Sequence, residues 1–177
     1  MDTILTIFSV LLLLMLLSNL DASNFKFTNV VCDSHNKSWI VFHECRLRVV
    51  QRNNITVNLN ATLLHPVTVL HINTQILKKA NGYKPWLVNV TIDFCAYLRR
   101  RNNPTINLVF GLIRTVSNLY HHCPFQGPQL ISNLYVSPEM LRIPLPTGEY
   151  LLLTNWMFEK QIQAITKFYF SFVENLL

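Results

Sequence analysis

His121, His122 and Cys123 are the densest run of reactive side chains in the sequence. Imidazole and thiolate are zinc donors. The spacing argues against that role. Adjacent residues on a helix point in different directions, so the run has no common face. No second Cys or His cluster stands at metal-binding spacing, and imidazoles at the end of a helix are accounted for by its dipole. Asp93, ahead of Cys95 and a helical pattern, suits an N-cap better than a general acid. There is no Gly-x-Ser-x-Gly, and four glycines in all leave no phosphate loop. The expectation is no metal, no cofactor and no enzyme.

The four cysteines point elsewhere. Ile4 to Leu17 is a nearly unbroken apolar run. It falls short of the roughly 20 residues of a membrane span and suits the core of a secretory leader. We assign residues 1–22 as a signal peptide ending at Leu20-Asp21-Ala22, although no Lys or Arg precedes the run. Residues 23–177 then form a single domain, secreted to the extracellular space. Cys32, Cys45, Cys95 and Cys123 all lie in it, an even count that reads as two disulfides. Three connectivities exist; closure of local loops favours Cys32–Cys45 and Cys95–Cys123. The second would staple a flap of about 28 residues at its base. Sequons begin at Asn36, Asn54, Asn60 and Asn89, the expected glycosylation sites.

The chain of 177 residues carries 15 Lys and Arg against 9 Asp and Glu, a formal +6. Loss of Asp2 and Asp21 with the leader raises this to +8. Such a balance suits acidic partners, including a membrane surface or a receptor. The local runs, Lys78-Lys79 and Arg99-Arg100-Arg101, are short enough to be ordinary solvated faces. No nucleic-acid motif accompanies the charge, and nucleic acid is not an expected partner.

The elements that would position these residues are mostly strands. Ile55, Val57, Leu59, Ala61 and Leu63 alternate with Thr56, Asn58, Asn60 and Thr62, the period of a sheet packed on one side. Asn60 falls on the polar face, as does Asn89 in its own strand, so both should be open to a sugar. Pro66 should end the third strand. Further strands are expected at 25–31, 39–50, 67–77, 83–93, 130–136, 150–158 and 162–173. Trp86, Val88, Val90 and Ile92 would share the buried face of theirs. Phe125-Gln-Gly-Pro128 reads as a connection. Asn103-Pro104 is a capped helix start, and Val109, Leu112, Ile113, Val116 and Tyr120 carry helical spacing up to His122. The fold class is mainly β: an antiparallel β-sandwich or open β-cup with one helical insert at about 94–122.

Ile106, Phe110 and Leu119 lie off the main stripe of that helix. A helix apolar on more than one side buries both, enters a membrane interface or covers a hydrophobic guest. The candidate lining is Trp86, Val88, Val90, Phe110, Ile113 and Trp156. For any one of them, plain core is the simpler role.

One pattern spans nearly the whole mature chain: Lys26-Phe-Thr-Asn29, Cys32, Cys45, Asn81-Gly-Tyr-Lys-Pro85 and Asp93-Phe-Cys95. It continues through Asn118-Leu-Tyr-His-His-Cys-Pro124, Gly127 and Pro146-Thr-Gly-Glu-Tyr150. The chain resembles an insect family of small secreted proteins of unknown function related to the CheB chemosensory proteins. That family resembles in turn a distant branch of the ganglioside-activator and ML lipid-recognition proteins. The resemblance implies an Ig-like or ML-type β-cup holding a lipid or other hydrophobic small molecule, such as a pheromone or cuticular lipid, in chemosensation. Ganglioside activators have more cysteines, so their bridges do not transfer. A different class of function is an extracellular interaction or receptor-modulating module with a filled core. Internal space separates the two.

Overall fold

The computed structural model describes residues 23–52, 54–141 and 145–174; the signal peptide expected at 1–22 lies outside them. Among the described residues there are eight strands. They are β1 (Asn24–Ser34), β2 (Ile40–Gln51), β3 (Asn54–Val67), β4 (Leu70–Ala80), β5 (Gly82–Asp93), β6 (Phe125–Leu134), β7 (Gly148–Phe158) and β8 (Gln161–Val173). Helices α1 (Phe94–Arg100) and α2 (Pro104–Ile113) stand between β5 and β6. One sheet has the order β1-β8-β7-β4-β5 and the other β2-β3-β6. Every pairing is antiparallel. The result is the mainly-β sandwich with a small helical insert that the pattern implies.

Alternation puts one row of each strand inside. Phe25 and Phe27 of β1, Tyr150 of β7 and Phe170 and Phe172 of β8 meet Val57, Leu59, Ala61 and Leu63 of β3 in one core cluster. Phe25 and Tyr150 both stack on Phe170, with ring centroids 4.9 and 5.3 Å away. Each such side chain contributes roughly 1.5–3 kcal/mol by leaving water. Two disulfides brace this core. Cys32–Cys45 joins β1 to β2, and so one sheet to the other. Cys95–Cys123 joins the first turn of α1 to the residue two before β6.

Tertiary pairing overrides local signals in three places. Pro66 does not end β3, which runs on to Val67. The β3–β6 register jumps from Leu63 to Val67, so no ladder bond is asked of the proline. Phe125-Gln-Gly-Pro128 is not a connection but the first part of β6; Gly127, at φ +72°, takes the left-handed bend. The helix expected to reach His122 stops at Ile113. Beyond it the chain runs along the edge of β6: Ser132 N donates to Val116 O at 2.8 Å, and Ser117 bridges Ile131. Val116, Ser117 and Asn118 are weak helix formers, and strand edges offer their backbone better partners.

The starts of both helices follow the sequence. Ala96 N donates to Asp93 Oδ1 at 2.8 Å, and Ile106 N donates to Asn103 Oδ1 at 3.2 Å. Asp93→Ala should therefore cost about 1 kcal/mol in denaturant unfolding. A loss no greater than that of an exposed surface substitution would show the cap to be idle.

Candidate functional site

β5 is an edge strand, and its ladder with β4 is broken. Ile76 pairs with Val88, but the next residue, Leu77, pairs with Pro85. Trp86 and Leu87 are thus a bulge with no partners on β4, and they stand 44% and 53% exposed. The bulge explains why Trp86 departs from the expected buried row. Val88, Val90 and Ile92 keep the inward phase and are half-buried. Across from them lie the cap and first turn of α2.

Between these two walls is an open cleft of about 240 Å³, lined by Leu87, Val88, Asn89, Val90, Asn103 and Ile106. Four of its six lining residues are aliphatic and two are asparagines. The oxygens of the two amides are already engaged: Asn103 Oδ1 caps α2, and Asn89 Oδ1 accepts from Asn73 Nδ2 at 3.1 Å. Behind the cleft wall, Val88, Ile76, Leu152 and Phe168 follow one another across the sheet in register. Ile76 is buried, but Val88, Leu152 and Phe168 are only half-buried. The inner face is covered less completely here than around Tyr150, which is 0% exposed.

The other proposed lining residues lie apart from the cleft. Phe110 is 6% exposed and packs among Phe94, Tyr97 and Tyr120, at 5.5, 5.8 and 6.4 Å between ring centroids. It fills the space beneath the insert. Ile106, Phe110 and Ile113 follow the i, i+4, i+7 rule of an inward stripe, while Val109 of the expected stripe is 37% exposed. Ile113 is half-buried against the core. Trp156 is half-buried on the inner face of β7, its indole Nε1 donating to Thr166 Oγ1 at 3.1 Å. Leu87, Asn89, Asn103 and Ile106 were absent from the expected lining. Pro85 was the available signal, since proline inside a strand marks an edge or a bulge.

The charged and reactive runs are resolved into separate roles. Arg101 and Arg114 both donate to Tyr120 Oη, at 2.8 and 2.9 Å, and their guanidinium carbons lie 4.4 and 4.2 Å from its ring centroid. The Arg101 hydrogen bond, aided by both nearby charges, lowers the Tyr120 pKa. Arg99 and Arg100 stay exposed at the C-terminal end of α1, where the helix dipole favours them. The basic run is therefore not one uniform patch. His121 packs its ring 4.5 Å from that of Phe125 and places Nδ1 2.8 Å from the His122 carbonyl. Among the described residues no group of three His, Cys, Asp or Glu side chains is placed to hold a metal. Among them, too, no helix is long and apolar enough to cross a membrane.

The sequons differ in access. Asn89 is exposed, whereas Asn36, Asn54 and Asn60 are half-buried, the last two each with a buried Oδ1 that has no hydrogen-bond partner. Asn60 is thus less open than the alternation implied. β3 is the central strand of its sheet, and Glu44 and Leu130 flank Asn60 in register. On the same face Thr56 and Asn58 are buried outright.

A family described as Protein of unknown function (DUF1091) matches residues 72–152. The match contains both walls of the cleft, the whole helical insert and the Cys95–Cys123 bridge. No curated protein matches the chain.

Proposed function

We propose that this chain is a secreted, N-glycosylated, non-enzymatic protein that holds the hydrophobic tail of a lipid or lipid-like molecule. The tail would lie in the cleft between β5 and α2. The observation that carries this reading is the cleft itself, whose walls are Leu87, Val88, Val90 and Ile106, with the oxygens of both asparagine amides bonded from within the protein. Burial alone would drive entry, at roughly 0.8 kcal/mol per methylene. The volume limits the guest. About 240 Å³ lies below the range of roughly 300–1,000 Å³ typical of drug-sized sites, so one alkyl chain suits it better than a multi-chain lipid. The apolar run from Ile4 to Leu17, the two disulfides and the exposed sequon at Asn89 support secretion and glycosylation. The resemblance to chemosensory lipid-recognition proteins supports the same ligand class.

The test is extraction of protein purified from insect cells, followed by mass spectrometry, with titration of a fluorescent fatty-acid probe. Val90→Trp should fill the cleft and weaken probe binding about tenfold or more, through loss of roughly two buried methylenes. Its unfolding midpoint should change little, because Val90 is on an edge strand and only half-buried. Protein that is always empty and takes up no probe would end this reading.

A further inference from the structure

We infer that Lys78, with Lys84 and Trp86, forms a headgroup site at one end of this cleft, and that the ligand is a single-chain amphiphile with an anionic head. This rests on the cleft reading above and narrows it. Lys78 lies on β4 in register with Tyr150 and shares the inner face of the sheet. Its Nζ is 5.1 Å from the ring centroid of Trp86 and 5.6 Å from that of Tyr150. Gly148 makes room for the stem: a Cβ there would stand 2.9 Å from Lys78 Cε. The side chain is therefore half-buried across Gly148, and its ammonium is held between two aromatic rings.

Those rings account for one cation there, but not for two. Lys84 lies directly opposite Lys78 in the β4–β5 register, and like charges in that arrangement repel. The neighbouring Lys79 has its acid, Glu149, at 2.7 Å. Among the described residues neither Lys78 nor Lys84 has an acidic partner. An anion seated between them would remove the repulsion and gain two charge-assisted hydrogen bonds. The placement fits a ligand that continues into the cleft. Along β4, Lys78 is two residues from the partner of Val88 and four from the partner of Val90, which is roughly 7 and 13 Å at the rise of a strand. Trp86 and Leu87, pushed out by the bulge, flank the path between head and tail. A neutral hydrocarbon would leave both ammonium groups as they are. A carboxylate, or a phosphate monoester, uses them.

The test compares three ligands with the same chain: dodecanoic acid, dodecyl phosphate and dodecanol. Each displaces a fluorescent probe at neutral pH. An anionic ligand should bind about tenfold or more tighter than the alcohol, as charge-assisted contacts imply. The two anions against each other decide between carboxylate and phosphate. Lys78→Met should bring the preferred anion down to the alcohol and leave the alcohol unchanged. Lys84→Met, on the exposed edge, should lower anion affinity in part and guards against a misfolded Lys78 variant. Gly148→Ala keeps both lysines but displaces the Lys78 stem, so it too should weaken the anion selectively. If dodecanol binds as tightly as both anions, the headgroup site is overturned and the cleft stands. If none of the three binds, the cleft reading fails and takes the headgroup site with it.

Discussion

Replacing Cys95 and Cys123 together by serine will cost about 2–5 kcal/mol of stability. The bridge spans 28 residues of chain, all of the helical insert. Its loss frees that segment in the unfolded state, and the entropic part of the cost grows only slowly with length. Cys32–Cys45 spans 13 residues, and the logarithm makes the two differ by about 0.7 kcal/mol. The distinction between them is therefore one of place. Cys32–Cys45 ties the two sheets, so its removal should loosen β1 and β2. Without Cys95–Cys123 the insert should still dock, because it has other anchors. Phe94 stacks on Phe125 with ring centroids 5.9 Å apart, Ser117 bridges Ile131, and Leu130 N donates to Asn118 Oδ1 at 2.8 Å. Hydrogen exchange should thus rise across residues 96–122 while β3 keeps its protection. A uniform rise across both sheets would show that the bridge supports the whole sandwich rather than the insert. Peptide mapping without reduction checks the pairing itself.

The contrast between those anchors and the sequence shows what local pattern carries. β3 was legible because its alternation is unbroken, and the helix starts at Asp93 and Asn103 were legible because a cap and its helix are neighbours in sequence. The loop closures of the cysteines were legible for the same reason. What escaped depends on residues far away in the chain. The bulge at Trp86 and Leu87 exists only against β4, and the end of α2 only against the edge of β6. The burial of Thr56 and Asn58 follows from the central place of β3 between β2 and β6, which no period along β3 records. Lys78 is the clearest case. Its own strand gives its face, but the ring beneath it comes from Tyr150 and the room for its stem from Gly148. The cleft was legible only in part, through Val88 and Val90, because its other wall is set by where α2 docks.

Phe110→Ala will destabilise the protein by about 3–5 kcal/mol, the usual cost of removing a buried aromatic ring. Its neighbours Phe94 and Tyr97 are 4% and 5% exposed, and both are held to backbone at the start of α1, beside a disulfide. They have little freedom to move into the space, so the cost should fall toward the upper end of that range. Val109, one residue earlier and 37% exposed, provides the control: Val109→Ala should change stability by about 0.5 kcal/mol or less. The pair tests which face of α2 is inside. Equal losses would restore the stripe expected from the sequence and displace the face described here. The same variant also separates two roles for Phe110. As core beneath the insert, its removal lowers stability while the folded fraction still binds the fatty-acid probe with unchanged affinity. As a wall of the ligand site, its removal must change that affinity at temperatures well below the unfolding transition. The ring contacts favour the first outcome, since Phe110 faces Phe94, Tyr97 and Tyr120 while the cleft is walled by Ile106 one turn earlier.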